Sequence, residues 1–174
     1  MTRSLAAVCF LLMMACNTPS NEATPADASA SPAPAKHDYG VKASYSTDFA
    51  LADPALGDKV VALWKHFDNN TLDSVASYFA ESVFQDMPGF KGTMSRDSVM
   101  VSIKAYRNSL NSCVSEIDAL VPLKASNKEE SVVCIWGVET TEAGGKKMVR
   151  DINEAWGFNK DGKVTWIKQY ELKR

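Results

Sequence analysis

The sequence predicts an α+β fold in which three helices pack on one face of a curved, mixed or antiparallel sheet. Apolar residues recur at helical spacing between about residues 54 and 110, and four long strand-like segments follow between 113 and 172. Helices followed by consecutive antiparallel strands are typical of α+β domains. Because a long sheet twists, helices on one face leave a cone between the layers, and we expect a cone-shaped half-barrel.

The first two helices are predicted from capping and periodicity. Asp53 is a capping acid, and Pro54 follows at the first helical position. Apolar side chains then recur every three or four residues, and Asn69-Asn70 ends the helix. A shorter helix comes next. The two inner faces carry Leu56, Val60, Leu63, Trp64 and Phe67, and then Leu72, Val75, Ala76 and Phe79.

One short strand, a third helix and four longer strands complete the predicted domain. Residues 82–87 form a strand that Pro88-Gly89 closes, and Ser95 caps the third helix. Gly144-Gly145 and the segment 159–162 supply hairpin turns. The third helix places Val99, Ile103, Tyr106 and Leu110 on its inner face, and the longer strands cover 113–123, 131–141, 147–158 and 163–172.

The N-terminal segment has the layout of a bacterial secretory signal. Arg3 precedes an apolar run that is shorter than the roughly 20 residues needed to span a bilayer. Met13-Met14-Ala15-Cys16 resembles a lipoprotein box, so we expect a signal peptide at 1–15 and lipid on Cys16. The alternative is an ordinary secretory signal with an incidental cysteine. Position 17 is not the aspartate that retains enteric lipoproteins at the inner membrane, which favours an outer-membrane anchor facing the periplasm.

A tether of residues 16–48 separates this signal from a domain of residues 49–174. The stretch 17–35 consists mainly of Ala, Ser, Thr and Pro, with Asn and Asp, and has too few apolar side chains to offset the entropy of folding. Its prolines favour an extended chain. We therefore expect the domain to stand clear of the lipid headgroups.

Composition excludes several classes of function. The chain has 19 basic and 21 acidic residues, and without Arg3 the 18 remaining basic residues give a net charge of −3. This is not the basic footprint of a nucleic-acid-binding protein. No His or Cys pair has metal-ligand spacing, and no Gly-rich phosphate loop is present, so we expect no metal and no cofactor. Cys113 and Cys134 are expected to be buried free thiols, too far apart along neighbouring strands for a disulfide.

Three segments resemble the nuclear-transport-factor-2-like superfamily, which includes SnoaL-like polyketide cyclases and ketosteroid isomerases. The first is Trp64 to Phe67 with Asn69 to Asp73, the second is Tyr78 to Val83, and the third is Trp156 to Val164. Their order along the chain carries more weight than any single segment. The resemblance implies a conical half-barrel with a pocket at its wide end and often a homodimer through the outer sheet face, but it does not imply catalysis.

The turns predict which residues share a sheet face. With Gly144-Gly145 at the tip, Glu139 faces Arg150 and Ile135 faces Glu154. A four-residue loop at 159–162 without a bulge, the register that the resemblance favours, places Arg150 opposite Glu171. Among the residues of the face that the resemblance places inside the cone are Ile135, Glu139, Arg150, Ile152, Glu154, Trp156, Ile167, Gln169 and Glu171. The outer face holds Cys134, Trp136, Val138, Asp151, Asn153, Trp166, Lys168 and Tyr170.

Glu154 is the leading candidate for chemistry. Ile152, Trp156 and Ile167 surround it, so desolvation should raise its pKa. A carboxyl that stays neutral can donate a hydrogen bond to a developing oxyanion, and the resemblance implies this role for an acid at the matching place in ketosteroid isomerases. The alternative is that Glu154 caps a partly wet cavity or pairs with a neighbour.

Three further residues are weaker candidates. Tyr106 lies in a segment that resembles one holding a supporting pocket tyrosine in ketosteroid isomerases, or it packs as a helix aromatic. Where those enzymes have a donor tyrosine and a proton-shuttling aspartate, this chain has Leu63 and Met87, with Asp86 pointing to the opposite strand face. His66 is a surface residue or a SnoaL-like base. The isomerase machinery is therefore incomplete.

Three functions are compatible with the sequence. The first is a membrane-tethered, non-catalytic domain that binds a small, partly apolar molecule, with Arg150 in an ion-pair cluster at the mouth or as a carboxylate ligand. The second is a SnoaL-like isomerase, cyclase or dehydratase using Glu154 with Asp86 or His66. The third is a dimeric scaffold that assembles through the outer face, with an empty or side-chain-filled cone. The predicted pocket residues are Leu63, Phe79, Met87, Tyr106, Ile135, Arg150, Ile152, Trp156, Ile167 and Gln169.

Overall fold

The computed structural model describes residues 37–174. The predicted signal peptide, the lipidated Cys16 and the tether up to residue 36 lie outside them. The strands are β1 (Phe49–Leu51), β2 (Phe79–Met87), β3 (Phe90–Ser95), β4 (Ser112–Ala125), β5 (Ser131–Ala143), β6 (Lys146–Phe158) and β7 (Val164–Lys173). The helices are α1 (Pro54–Asp68), a 3-10 helix (Leu72–Tyr78) and α2 (Arg96–Asn108).

The strands form one curved mixed sheet in the order β1-β4-β5-β6-β7-β2-β3. Every neighbouring pair is antiparallel except β2 and β7, which run parallel. A bulge between Ile117 and Ala119 of β4 interrupts the pairing with β5, and such an extra residue bends a sheet and increases its twist. Three helices packed on a curved mixed sheet confirm the predicted fold class.

Capping side chains fix the starts of both α-helices, as predicted. The Asp53 carboxylate accepts a hydrogen bond from the Ala55 N–H at 2.9 Å, and the Ser95 hydroxyl accepts one from the Ser98 N–H at 3.2 Å. The predicted second helix is a 3-10 helix that ends at Tyr78, so Phe79 begins β2. Asp, Ser, Val and Tyr dominate that segment and propagate an α-helix poorly.

The pairing of β5 with β6 matches the prediction, with Ile135 opposite Glu154. The predicted pairing of β6 with β7 was wrong by two positions. The loop between them spans 159–163, and the register shifts again at Thr165, so Glu154 faces Gln169 rather than Ile167. Each change alone would turn β7 over, and the two together restore the face. The side chains of Ile167, Gln169 and Glu171 therefore still line the inside.

The segment that precedes β1, which we call the chain entrance, packs against the sheet and the β4–β5 turn. Tyr45 packs edge-on against Trp166, with ring centroids 5.9 Å apart, and Ser126 donates a hydrogen bond to Asp48. Cys113 is buried and Cys134 is half-buried, and both are free thiols. Burial raises the pKa of each thiol. No helix within residues 37–174 has the length and apolar character to cross a membrane.

Candidate functional site

A cavity of about 640 Å³ lies between the helices and the concave side of the sheet. Side chains from α1, the 3-10 helix and α2 cover it, β6 and β7 form its floor, and the β2–β3 hairpin lies at its rim. Its apolar lining consists of Leu63, Trp64, Phe67, Leu72, Phe79, Met87, Pro88, Phe90, Met94, Val99, Ile103, Ile152, Trp156 and Ile167. Its polar lining consists of Gln85, Ser102, Tyr106, Ser115, Glu139, Arg150, Glu154, Gln169 and Glu171.

Glu154 is the central polar group of the cavity. It is only 8% exposed, and its Oε2 accepts hydrogen bonds from the indole N–H groups of Trp64 and Trp156, both at 2.7 Å. Its other oxygen, Oε1, has no hydrogen-bond partner within residues 37–174. Because Glu154 lines the cavity, a bound molecule can reach this side of the carboxyl group.

The position of Trp64 depends on the absence of a side chain at Gly137. A Cβ atom built on Gly137 would lie 2.9 Å from the Trp64 ring and would overlap the carbonyl oxygen of Glu116. The bare backbone of β5 thus lets α1 approach the sheet closely at this point. As a result, the Trp64 N–H reaches the carboxyl group on the adjacent strand β6.

Burial raises the pKa of Glu154 to about 7, although both indole hydrogen bonds oppose the shift. Desolvation penalises the carboxylate more than two neutral donors stabilise it, and the nearby Glu139 carboxylate adds to the penalty. Near neutral pH, the protonated and ionised forms of Glu154 are therefore both substantially populated. Because Oε2 is already saturated, Oε1 is where that proton sits and where a ligand would meet it.

Two glutamine side chains extend the polar surface from Glu154 across the sheet. Gln169 on β7 lies directly opposite Glu154, and Gln85 on β2 lies opposite Ile167, two residues before Gln169. Gln85 is only 5% exposed. Neither amide has a hydrogen-bond partner within the described chain, and both line the cavity. Both amides are therefore free to bond a polar ligand group, and such a hydrogen bond contributes about 0.5 to 1.5 kcal/mol net.

The mouth of the cavity is closed on one side by an ion-pair cluster around Arg150. Its guanidinium donates hydrogen bonds to Glu171 and to the Tyr106 hydroxyl, each at 2.7 Å, and to Glu139. Arg150 is 7% exposed. Burial lowers the pKa of Arg150, but the Glu139 charge and hydrogen bond outweigh it, so the net direction is upward. Arg150 is therefore a permanent cation that is already paired, as the ion-pair prediction states.

The structure brings most of the predicted pocket residues together. Those that line the cavity are Leu63, Phe79, Met87, Tyr106, Arg150, Ile152, Trp156, Ile167 and Gln169. Ile135 does not line it, because it is fully buried in the core beneath the helices. Phe79 and Trp156 approach each other with ring centroids 6.4 Å apart and form an aromatic wall near Glu154.

Asp86 and His66 do not line the cavity. Asp86 follows the strand alternation, so its carboxylate points away from Met87 and forms an ion pair with Lys91 on β3 at 2.9 Å. His66 lies near the C-terminal end of α1, where its Nδ1 and the Thr71 hydroxyl are hydrogen-bonded at 2.7 Å. Neither is positioned to exchange a proton with a molecule beside Glu154.

Trp64 and Gln85 are site residues that were not predicted from the sequence. Trp64 was assigned to the core, although a buried indole N–H needs a hydrogen-bond acceptor and therefore predicts a polar partner nearby. Gln85 lies on the same face of β2 as Val83 and Met87, because side chains two residues apart on a strand point the same way. A glutamine at such an inward position indicates a polar cavity. Within residues 37–174, no group of three or more His, Cys, Asp or Glu side chains is arranged to hold a metal ion.

Comparison with solved structures defines the class of fold. No family model matches this sequence, and a search of curated proteins found no match. The chain is similar to a proposed scytalone dehydratase from Novosphingobium aromaticivorans, with 14% identity over 68% of this chain and 82% of that chain and a TM-score of 0.58. The domain therefore has the nuclear-transport-factor-2-like fold, which SnoaL-like and ketosteroid-isomerase-like proteins share.

Two further neighbours illustrate the range of activities described for this fold. A proposed SnoaL-like polyketide cyclase from Shewanella denitrificans is 8% identical over 69% of this chain and 92% of that chain, with a TM-score of 0.55. An LEH-like epoxide hydrolase from M. tuberculosis is 11% identical over 67% of this chain and 82% of that chain, with a TM-score of 0.53. These similarities establish the fold, and the site must supply the argument about function.

Proposed function

We propose that this domain binds a small, partly apolar molecule in its cavity and does not transform it. One observation supports this most strongly: a cavity of about 640 Å³ has a mainly apolar lining and one buried carboxyl group with a free oxygen. This is within the roughly 300–1,000 Å³ typical of ligand pockets. The other charged groups of the lining belong to the Arg150 cluster and are bound to one another.

The two parts of the cavity would have different roles in binding. Its apolar walls supply affinity, at roughly 25 cal/mol for each Å² of apolar surface removed from water. Glu154, Gln85 and Gln169 supply orientation, because each offers an unpaired polar atom to a ligand. A ligand with an apolar body and one polar end satisfies both parts.

Filling the cavity should abolish binding without unfolding the domain. Ile103 lies on the lining of α2, and Val101 lies on the same helix but is 69% exposed. We expect native mass spectra of Ile103→Trp to lack the small molecules that copurify with the parent. Added ligands that raise the melting temperature of the parent should not raise that of the variant. Val101→Trp is the matched control and should behave like the parent. Equal ligand stabilisation in both variants would contradict binding inside the cavity.

Acid–base catalysis is the second candidate, and Glu154 favours it. A pKa of about 7 and an oxygen open to the cavity suit a general acid or base. The structural neighbours described as dehydratase, cyclase and epoxide hydrolase make this class plausible for the fold. The positions of Asp86 and His66 argue against catalysis, because neither side chain lines the cavity and neither can assist Glu154 there. A ligand recovered unchanged after long incubation supports binding, whereas conversion that Glu154→Gln abolishes would support catalysis.

We also propose that the domain forms a homodimer through its outer sheet face. Trp136 and Tyr170 are 38% and 65% exposed there, and large aromatic side chains are enriched in interfaces. A closed cone with Trp156 and Tyr106 in contact would favour a purely scaffolding role, the third candidate from the sequence. The open cavity favours ligand binding over that role.

The cellular location belongs to the same proposal. We propose that Cys16 is acylated and anchors the protein in the outer membrane, facing the periplasm, because the sequence around it resembles a lipoprotein box. Replacing Cys16 with Ser should move the protein from the membrane fraction to the soluble periplasmic fraction and abolish labelling by a radioactive fatty acid. Unchanged fractionation would show that this cysteine is incidental.

A further inference from the structure

The charged groups that line the cavity are unequal in number. Glu139, Glu154 and Glu171 contribute three carboxyl groups, and Arg150 contributes the one guanidinium. No lysine or histidine side chain is among the lining residues of the described chain. With all three carboxyl groups ionised, the lining carries a net negative charge inside a largely apolar enclosure, where charges are weakly screened.

Arg150 is not available to an anionic ligand. Its two terminal nitrogens are bonded to Glu139, Glu171 and the Tyr106 hydroxyl. Its Nε has no partner within residues 37–174, but this atom is fully buried and does not reach the cavity. A ligand carboxylate would therefore have to displace an existing ion pair, and it would enter beside a second carboxyl group at Glu154.

The surroundings of Glu154 suit a cation. Its Oε1 faces the cavity without a partner, and the amide oxygens of Gln85 and Gln169 lie along the same polar strip of the sheet. The rings of Phe79 and Trp156 also line the cavity, and Trp156 donates its indole N–H to the other oxygen of Glu154. Aromatic faces attract cations, and the attraction is stronger where the contact is shielded from water.

Building on the proposed function, we propose that the cavity selects ligands with an amine on an apolar body. The ammonium group lies against Glu154 Oε1 and donates hydrogen bonds to the side-chain oxygens of Gln85 and Gln169. The apolar body fills the space beneath α1 and α2. Neutral analogues bind more weakly, and carboxylates are repelled.

An ammonium ligand would couple binding to the protonation of Glu154. The titratable groups that face it are Tyr106 from α2, Glu139 from β5, Arg150 on its own strand and Glu171 from β7. The parts of α1, the 3-10 helix, β2, β3 and β4 that line the cavity contribute uncharged side chains. At pH values below the Glu154 pKa of about 7, an entering ammonium displaces the Glu154 proton. Binding therefore releases a proton and weakens as pH falls.

A matched set of probes tests the ligand class on the full chain by isothermal titration calorimetry. The probes are 2-(2-naphthyl)ethylamine, 2-(2-naphthyl)ethanol and 2-naphthylacetate, which share a ring and differ in charge. At about pH 8 we expect the amine to bind roughly tenfold more tightly than the alcohol, and the carboxylate to bind most weakly. At about pH 6, titrations in two buffers of different ionisation enthalpy should show release of up to about one proton with the amine and none with the alcohol.

Variants separate this inference from the proposed function. Glu154→Gln should weaken amine binding by roughly tenfold more than it changes alcohol binding, because only the amine loses a charged partner. Urea unfolding checks separately that the variant is folded. Glu142→Gln, an exposed position outside the cavity, is the matched control and should match the parent. Equal binding of amine and alcohol, with no proton release, would overturn the amine inference and leave small-molecule binding intact. Failure of all three probes to bind would count against both.

Discussion

At the scale of single residues, Glu154 combines a structural cost with a functional group. A buried carboxyl is tolerated because Trp64 and Trp156 each donate a hydrogen bond to the same oxygen. These donors stabilise the carboxylate, but desolvation still dominates, and the pKa rises to about 7. A group held in this way destabilises the folded state whenever it is ionised, and buried groups with shifted pKa values are typical of binding and catalytic sites.

This arrangement predicts how stability depends on pH. In the unfolded chain Glu154 has an ordinary pKa of 4.5, and in the folded protein the pKa is about 7. The folded state therefore holds the proton more tightly, and the free energy of unfolding should fall as pH rises between these values. At roughly 1.4 kcal/mol per pKa unit, the full effect is on the order of 3 kcal/mol.

Glu154→Gln should remove this pH dependence. Urea unfolding measured at several pH values between about 4.5 and 8 should show the variant gaining stability relative to the parent as pH rises. Glu142→Gln on the exposed part of β5 is the control, and its curve should run parallel to that of the parent. If Glu154→Gln also runs parallel, the carboxyl group does not have a raised pKa in the folded state.

At the scale of secondary-structure elements, Arg107 joins α2 to the end of α1. Its guanidinium donates hydrogen bonds to the carbonyl oxygens of Phe67 and Asp68 at 2.7 and 2.8 Å and to that of Leu110 at 3.3 Å. The last carbonyls of a helix have no partners within the helix, and a cation there also complements the helix dipole. Arg107 therefore holds α1 at the angle that delivers Trp64 to the cavity.

Replacing Arg107 should destabilise the domain more than an ordinary surface change. Arg107→Gln removes charged donors from part-buried carbonyl groups, and we expect a loss of about 2 to 4 kcal/mol in urea unfolding. Arg96, at the other end of the same helix, forms only a 3.8 Å contact with Asp97, and Arg96→Gln should change stability by less than about 0.5 kcal/mol. Similar losses in the two variants would show that Arg107 does not hold the two helices together.

Elements with strong local signals could be predicted from sequence, and those defined by tertiary pairing could not. Asp53 and Ser95 predict where the two α-helices begin, because their capping hydrogen bonds are to nearby residues. The short edge strands β1 and β3 were not predicted, since three exposed residues in β1 and an exposed, Gly-containing β3 carry little periodic signal. The register of β7 was also wrong, because a longer loop and a bulge at Thr165 each shift the pairing by one position in the same direction, and neither has a clear local signal in the sequence.

The candidate site shows the same division. Glu154 was predicted because an acid flanked by apolar residues on a strand stands out. The hydrogen bond between Glu154 and Trp64 was not predicted, because it depends on how closely α1 approaches the sheet above Gly137. The interpretation of Asp86 as a partner acid was weak for a reason visible in sequence: alternation places it on the opposite face from Met87, where Lys91 pairs with it.

At the scale of the whole molecule, the sheet separates the cavity from the outer face. The parallel pairing of β2 with β7 brings the β2–β3 hairpin to the rim, and the Arg150 cluster stands at the same mouth. The chain entrance, with Tyr45 and β1, lies at the strand ends far from this mouth. There Tyr45 contacts Trp166 at the start of β7, and β1 pairs with the end of β4 at Ala125. A ligand can therefore enter the cavity without crossing either the chain entrance or the outer face.

The outer face provides the last prediction, which concerns assembly. Trp136, Asn153 and Tyr170 form one row across β5, β6 and β7, and all three are exposed. If two domains pack through this row, placing charge at its centre should separate them, because an unpaired buried charge opposes association. We expect the doubly substituted W136E/Y170E protein to have half the parent's mass in light scattering. Val101→Glu, on the exposed surface of α2, should keep the parent's mass, and a parent that is monomeric at about 100 µM would rule out the dimer.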